Sequence, residues 1–249
     1  RIVEADVERA LAERMAQFPP RKVLRRISYD GMRRTIGERL GHSHTTAVPV
    51  TLTTEADVTE LLALRVRLNE GVPKRDEISV TALIVKAAAQ TLKRYPRLNS
   101  SLEGDEIVEW GEIHVGVAVA LEDGLLVPVV RDADQKTVGQ INAEIRELAR
   151  KAEKGTLGPD EVSGSTFTVT NLGMYGVDAF TPVINPPEAA ILGVGRTVSR
   201  PELRDGQLVL RQVTTLSLTF DHRLVDGAPA AQFLSSLRES LERPYGLVR

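Results

Sequence analysis

Apolar and polar residues alternate along Leu216-Ser217-Leu218-Thr219-Phe220, a period of two that predicts a strand with one buried face. Directly afterwards Ala230, Phe233, Leu234, Leu237 and Leu241 recur at helical spacing. The same two periods divide the rest of the chain. Val7, Leu11 and Met15 predict a short helix over residues 1–15, and Pro19-Pro20 with Arg21, Lys22, Arg25 and Arg26 reads as a linker. Met32, Ile36 and Leu40 predict a helix over 31–41 that stops at Gly41. Val48 to Thr54 alternates as a strand. Val58, Leu61, Leu62 and Leu68 mark a helix, and Val80 to Ala88 marks a mostly buried one that stops at Tyr95-Pro96. Ile113 to Leu121 and Leu125 to Val130 read as two apolar strands around a Glu122-Asp123-Gly124 turn. Ile141, Ile145, Leu148 and Ala152 give a helix ending near Gly155. Strands are expected at Thr166 to Thr170, at Ala189 to Val194, and at Gln207 to Phe220 after an Asp205-Gly206 turn. The last helix runs from about Ala228 to Glu242, with Pro229 in its first turn.

About five helices and at least eight strands joined by hairpin turns predict a mixed or antiparallel sheet flanked by helices, an α/β (α+β) fold or a helix-covered sandwich. With 249 residues and 42% apolar content the chain can bury a sizeable core. A net charge of −2 gives no electrostatic reason to expect nucleic acid. Cysteine is absent, which excludes disulfides, a cysteine nucleophile and thiolate metal sites, and fits a reducing cytoplasm. No apolar run approaches membrane-spanning length, and no signal peptide is visible. The start at Arg1 reads as that of a fragment.

The chemistry concentrates where the last strand meets the last helix, in Asp221-His222-Arg223-Leu224-Val225-Asp226-Gly227. His222 shares the parity of Leu216, Leu218 and Phe220, so its ring is expected to point toward an apolar interior. Burial there would favour the neutral imidazole, the form a general base needs. A structural histidine is the bland alternative. Asp226 stands just before a helix and reads equally as an N-cap. Thr166, Thr168 and Thr170 put three hydroxyls on one strand face. Plain β-propensity on a half-solvated face explains at least two of them, and one could donate to a developing oxyanion. His42 and His44 flank Ser43 on an expected surface loop with no third ligand at helpful spacing, so no metal site is expected. His114 reads as core or rim. Gly193-Val194-Gly195 lacks the third glycine of a dinucleotide fingerprint.

Taken together, several ordered stretches resemble the catalytic domain of the dihydrolipoamide acyltransferases, the core components of 2-oxo-acid dehydrogenase complexes. These are Gly31 to Arg34 leading into Ile36, Thr166 to Gly173, Phe180 to Pro187, Ala190 to Gly195 and Asp221 to Gly227. The likeness covers about residues 25–249. Residues 1–15 resemble the end of a peripheral subunit-binding domain, and 16–24 a linker. The resemblance implies a chloramphenicol acetyltransferase-like fold and trimers that build a larger symmetric core, with active sites at subunit interfaces. It implies acyl transfer between dihydrolipoamide, on a lipoyl domain upstream, and coenzyme A. The decarboxylase and dihydrolipoamide dehydrogenase components are the implied partners. His222 would deprotonate the thiol and Thr170 of a neighbouring subunit would hold the oxyanion. Asp226 would position the His222 loop by pairing with Arg33. Phe180 and Leu192, with Arg33 beside them, would lie at the coenzyme A side. Two alternatives remain: a coenzyme A acyltransferase acting on a free small molecule, and a scaffold that organises partner enzymes.

Overall fold

The computed structural model describes residues 3–16, 22–121, 124–204 and 206–248. The chain forms two units, Arg1–Gly31 and Met32–Arg249. The first holds α1 (Glu4–Ala16), whose first turn carries Glu4 and Asp6, as suits the positive end of a helix. Val7, Leu11 and Met15 are all exposed. Residues 22–30 are irregular, and the expected Pro19-Pro20 break and Arg21 lie outside the described residues.

The second unit begins in α2 (Gly31–Thr46). There follow β1 (Pro49–Asp57), α3 (Thr59–Leu68), α4 (Val80–Leu92), β2 (Ser100–Glu103) and β3 (Glu106–Glu109). Then come β4 (Val115–Val117), β5 (Val119–Leu121), β6 (Gly124–Leu126), β7 (Val129–Val130) and α5 (Val138–Lys154). The chain ends with β8 (Phe167–Asn171), β9 (Ala190–Arg204), β10 (Gln207–Asp221) and α6 (Gly227–Glu242). One six-stranded sheet has the order β1-β10-β9-β8-β4-β7. It is mixed: β8 runs parallel to both β4 and β9, and the other pairs are antiparallel. This is the mixed sheet with helices that the alternation predicted.

Leu216, Leu218 and Phe220 are fully buried, and they join Ala230, Phe233, Leu234, Leu237 and Leu241 of α6 in one core with the apolar residues of α4. Local signals agree with the helix ends. The Ser79 hydroxyl accepts from the Ala82 amide at 3.1 Å at the start of α4, a Thr137–Gln140 capping box starts α5, and Gly155 ends α5 at φ 66°.

Four predicted elements differ, one being β9, expected over Ala189 to Val194, which runs on to Arg204. Helix α2 does not stop at Gly41 but continues to Thr46, so His42, Ser43 and His44 are helical, not a loop. The cause is tertiary: Ser43 is buried, and its Oγ donates to the Ile184 carbonyl at 2.7 Å. The run Ile113 to Leu121 splits into β4, in the main sheet, and β5, which forms a two-stranded hairpin with β6. Pro128 likewise divides the second apolar run into β6 and β7; its carbonyl accepts from Val117 N at 2.8 Å, but it has no N–H to extend a ladder. The β2–β3 hairpin was not predicted; Gly104, at φ 60°, makes its turn. Leu121 pairs with Gly124 as a hairpin should, while Glu122, Asp123 and Asp205 lie outside the described residues.

The face of the sheet away from α4 and α6 is crossed by the segment between β8 and β9. A side chain at Gly195 would place its Cβ 1.9 Å from the Asp178 carbonyl oxygen, and one at Gly193 would meet the Phe180 ring at 2.9 Å. The glycines are there to let this segment lie on the strand. Gly195→Ala is therefore expected to cost about 3 kcal/mol, a fall in melting temperature of about 10 °C. Gly41→Ala, inside α2 with nothing near its Cβ, is expected to stabilise by about 0.8 kcal/mol. Thermal melts of both variants test the pair of signs.

Candidate active site

Strand β10 ends at Asp221, and this residue organises the turn between β10 and α6. The buried Asp221 carboxylate accepts from Val48 N at 3.1 Å and from Arg223 N at 3.0 Å through Oδ1. Arg223 grips the same carboxylate with Nε and a terminal nitrogen, the latter at 2.6 Å from Oδ2. The backbone closes the turn: Leu224 N and Val225 N both donate to the Asp221 carbonyl at 3.0 Å, and His222 N donates to Val48 O at 2.8 Å. Leu224 and Val225 are buried. His222 is thus held at its own amide, by the residue before it and by two apolar anchors after it. Burial pushes the Asp221 carboxyl up, but the Arg223 side chain and the amides of Arg223 and Val48 together outweigh it and hold it below the ordinary value.

The His222 side chain is 44% exposed, so the expected inward ring is not what forms. The strand stops one residue earlier, and period-two parity does not continue through a turn. The ring lies 6.0 Å from that of Phe220. Asp226 occupies the N-cap position of α6 with extended φ and ψ of −81° and 161°, yet its carboxyl makes no cap bond. Its side chain is 84% exposed, and Oδ1 lies 3.9 Å from His222 Nδ1, too far for a hydrogen bond. Arg33, expected to pair with Asp226, lies in the first turn of α2.

Thr166, just before β8, and Thr168 and Thr170 within it are not equivalent. Thr166 and Thr168 are buried, contrary to a half-solvated face. Thr166 Oγ1 donates to Asn99 Oδ1 at 2.6 Å, and Thr168 Oγ1 to Glu188 Oε1 at 2.8 Å. Thr170 is only partly buried and has no side-chain hydrogen bond among the described residues. It pairs in register with Gly193, on which Phe180 lies, and Gly193 pairs with Ser217 of β10. His222 follows Ser217 by five residues along the strand and Thr170 sits two strands away. At about 3.3 Å per residue and 4.8 Å per strand, the backbone positions of the two residues in one chain are separated by roughly 19 Å. Leu192 is fully buried in the core, so its side chain does not offer the ligand contact expected of it.

Among the described residues no group of three or more histidines and carboxylates is placed to hold a metal ion. His114 is structural. Its Nδ1 accepts from Asp132 N at 3.1 Å, and its carbonyl accepts from Thr166 N at 2.8 Å. A cavity of about 300 Å³ lies beside the turn, lined by His42, Thr46, Glu188, Asp221 and Arg223 among others. The sequence pattern does not single out Asp221, Arg223 or Glu188. The one visible signal is an acid at the end of an apolar strand for Asp221, and another at the start of one for Glu188.

A partly exposed imidazole on a clamped turn, at the end of a mixed sheet, is a reactive group on a rigid frame. The chain belongs to the family of 2-oxoacid dehydrogenases acyltransferase catalytic domains, whose model matches residues 22–249. It is 40% identical over its full length to the dihydrolipoyllysine-residue acetyltransferase component of the acetoin cleaving system of Bacillus subtilis, covering 64% of that protein. It is 37% identical, over 90% of its length, to a dihydrolipoyllysine-residue succinyltransferase component from Rickettsia felis, covering 57% of it. The chain thus spans about three-fifths of the curated relatives it matches. The Azotobacter vinelandii dihydrolipoamide acetyltransferase superposes with a TM-score of 0.83 at 37% identity, covering 93% of this chain and all of that one. The cubic core of a pyruvate dehydrogenase multienzyme complex matches with the same TM-score, 0.83, and the same coverage. No described helix is long and apolar enough to cross a membrane.

At pH 7, Asp221→Asn is expected to lower stability by about 2 kcal/mol, since it removes the charge from a buried, multiply bonded acceptor. A lowered carboxyl pKa contributes stability that is fully present above the ordinary value of 3.8 and is lost as pH falls through the lower folded value. The melting difference between wild type and Asp221→Asn should therefore be flat from pH 6 down to about 4 and shrink below it.

Proposed function

We propose that this chain transfers an acyl group between the thiol of dihydrolipoamide and coenzyme A, in a site shared by two copies. The observation that carries the reading is the geometry of His222 and Thr170: each sits on a rigid element, and one chain holds them too far apart to act together. In the Azotobacter vinelandii enzyme a serine, a histidine and an asparagine have been studied for their role in the catalytic mechanism. Their intervals along that chain equal those between Thr170, His222 and Asp226 here. Serine and threonine both supply a hydroxyl, and asparagine and aspartate share a shape.

The steps come from the groups themselves. Neutral His222 accepts the proton of the attacking thiol through the ring nitrogen turned away from Asp226. The thiolate adds to the carbonyl carbon of the acyl thioester. The Thr170 hydroxyl of the neighbouring copy donates to the oxyanion of the tetrahedral intermediate. The intermediate collapses, the carbon–sulfur bond to the departing thiol breaks, and the imidazolium returns its proton to that sulfur. Phe180, lying on the strand beside Thr170, and Arg33 are the residues this reading assigns to coenzyme A.

The remaining expectations belong to the same reading. Trimers would assemble into a larger core, as in the cubic core that this chain resembles. Residues 1–15 would be the end of a peripheral subunit-binding domain, 16–24 a linker and 25–249 the catalytic domain. The decarboxylase and dihydrolipoamide dehydrogenase would be the partners.

Transfer from acetyl-coenzyme A to free dihydrolipoamide tests this, with chloramphenicol as the competing acceptor. Thr170→Ala is expected to lower kcat by about a hundred- to thousandfold, and His222→Ala to abolish transfer without changing particle size. Co-assembling the two dead variants is the decisive step. A shared site predicts recovered activity, because some interfaces then pair an intact His222 with an intact Thr170. No recovery in verified mixed particles refutes the shared site.

A further inference from the structure

We propose that Glu188 is a positioning residue: as the neutral acid it ties the strand bearing Thr170 to the turn bearing His222, and ionising it loosens both. Its kinetic consequence rests on the acyl-transfer reading; its structural consequence does not.

Glu188 is buried just before β9. Its Oε1 accepts three hydrogen bonds, from Ser165 Oγ at 2.5 Å, Thr168 Oγ1 at 2.8 Å and Asn185 Nδ2 at 2.7 Å. Its Oε2 is equally buried and has no partner among the described residues. A carboxylate spreads its charge over two equivalent oxygens, so leaving one dry is costly. A carboxylic acid has one carbonyl oxygen that accepts and one hydroxyl. A buried hydroxyl without an acceptor costs less than a charged oxygen without a donor, so the dry Oε2 favours the acid. Burial accordingly pushes the Glu188 carboxyl up to about 7, against the pull of its three donors and of Arg39.

The surrounding elements carry few charges. On α2, Arg39 donates to the Pro186 carbonyl at 2.8 Å, and His42 lines the cavity that Glu188 also lines. Asp221 and Arg223 line it from the turn. Strand β8 presents Thr168, and Ser101 of β2 bridges to Glu188 through the backbone.

The group is connected in two directions. Thr168 and Thr170 share one face of β8, two residues apart. The next residue after Glu188, Ala189, accepts from Asp221 N at 2.9 Å through its carbonyl. A new charge on Glu188 demands either Arg39 or water from the cavity. Both draw the 185–188 segment away from β8 and from the turn.

The upward shift sets the sign for stability. A carboxyl raised from 4.5 to about 7 on folding costs nothing below its unfolded value. The penalty grows as pH rises from about 4.5 and is complete above about 7. For activity, an alkaline limb should appear, falling at most about tenfold per pH unit as one proton requires.

The test uses the assembled protein, wild type against Glu188→Gln and Ser165→Ala, from pH 5 to 9. Three quantities are followed: melting temperature, kcat for transfer, and amide hydrogen exchange of peptides spanning 167–171 and 221–226. Glu188→Gln should gain melting temperature over wild type as pH rises, lose the alkaline limb of kcat, and exchange more slowly than wild type in both peptides above pH 7. Ser165→Ala removes a donor that favours the charge, so it should move the wild-type transition to higher pH. That variant keeps the test sharp if Glu188→Gln does not assemble. Exchange that differs in both peptides with no detectable transfer sinks the acyl-transfer reading and leaves the positioning role standing. Transfer with identical profiles, or a melting difference that ignores pH, overturns the inference about Glu188.

Discussion

The site depends on one carboxylate. Asp221 sits at the junction of the end of β10, the approach to β1 and the turn that leads to α6, and its two oxygens are shared among Val48 N, Arg223 N and the Arg223 side chain. Each bond removes a way for the turn to move. Without them the amides of Val48 and Arg223 would have to find other partners. Rigidity here is not a property of the histidine. It is imposed by a buried carboxylate one residue away, paired with the exposed Arg223, which is the arrangement a reactive group needs when its own side chain must stay accessible.

The sheet then sets where the chemistry can happen. Strand register places Thr170 opposite Gly193 and Gly193 opposite Ser217, several residues short of the turn. No side-chain rotation closes a gap of roughly 19 Å set by strand geometry. On the proposed reading the two groups come together by association, as copies related by rotation allow. The glycines of β9 serve the same end. They let the segment after β8 lie flat on the sheet, with Phe180 on the strand that neighbours Thr170.

Much of this was legible in the chain. Alternation in Leu216 to Phe220 and helical spacing after Ala230 are local signals, and the strand and helix form where those signals place them. The departures were decided by distant residues. Gly41 carries no information that Ser43 will bond Ile184, so the spacing alone ends the helix too early. Nothing in Ile113 to Leu121 says that it will split between two sheets; that depends on Val117 and Ala118 finding Pro128 and Val169. Parity gives the wrong direction for His222 because it assumes a strand one residue longer than the structure has. The supporting roles of Asp221, Arg223 and Glu188 are not legible in the chain for a related reason. A carboxylate looks the same there whether it ends up solvated or takes three buried donors, and only the fold brings the donors.

Exposure of the imidazole bears on how it can act. A proton moving from sulfur to nitrogen creates opposite charges, and water screens their attraction while a dry cleft does not. In the single chain His222 is open to water, so the low-dielectric wall has to come from the neighbouring copy on the proposed reading. Asp226 cannot replace that wall. At 3.9 Å and 84% exposed, its charge is worth about 1 kcal/mol at most to an imidazolium. An asparagine at the same interval in the Azotobacter vinelandii protein carries no charge at all. What the two residues share is the ability to hold an extended backbone at the entry to a helix, and Asp226 adopts that conformation here without spending its side chain on a cap. On the proposed reading its contribution is to where α6 starts, and the driving force for proton transfer comes from the neighbouring copy's surface around His222.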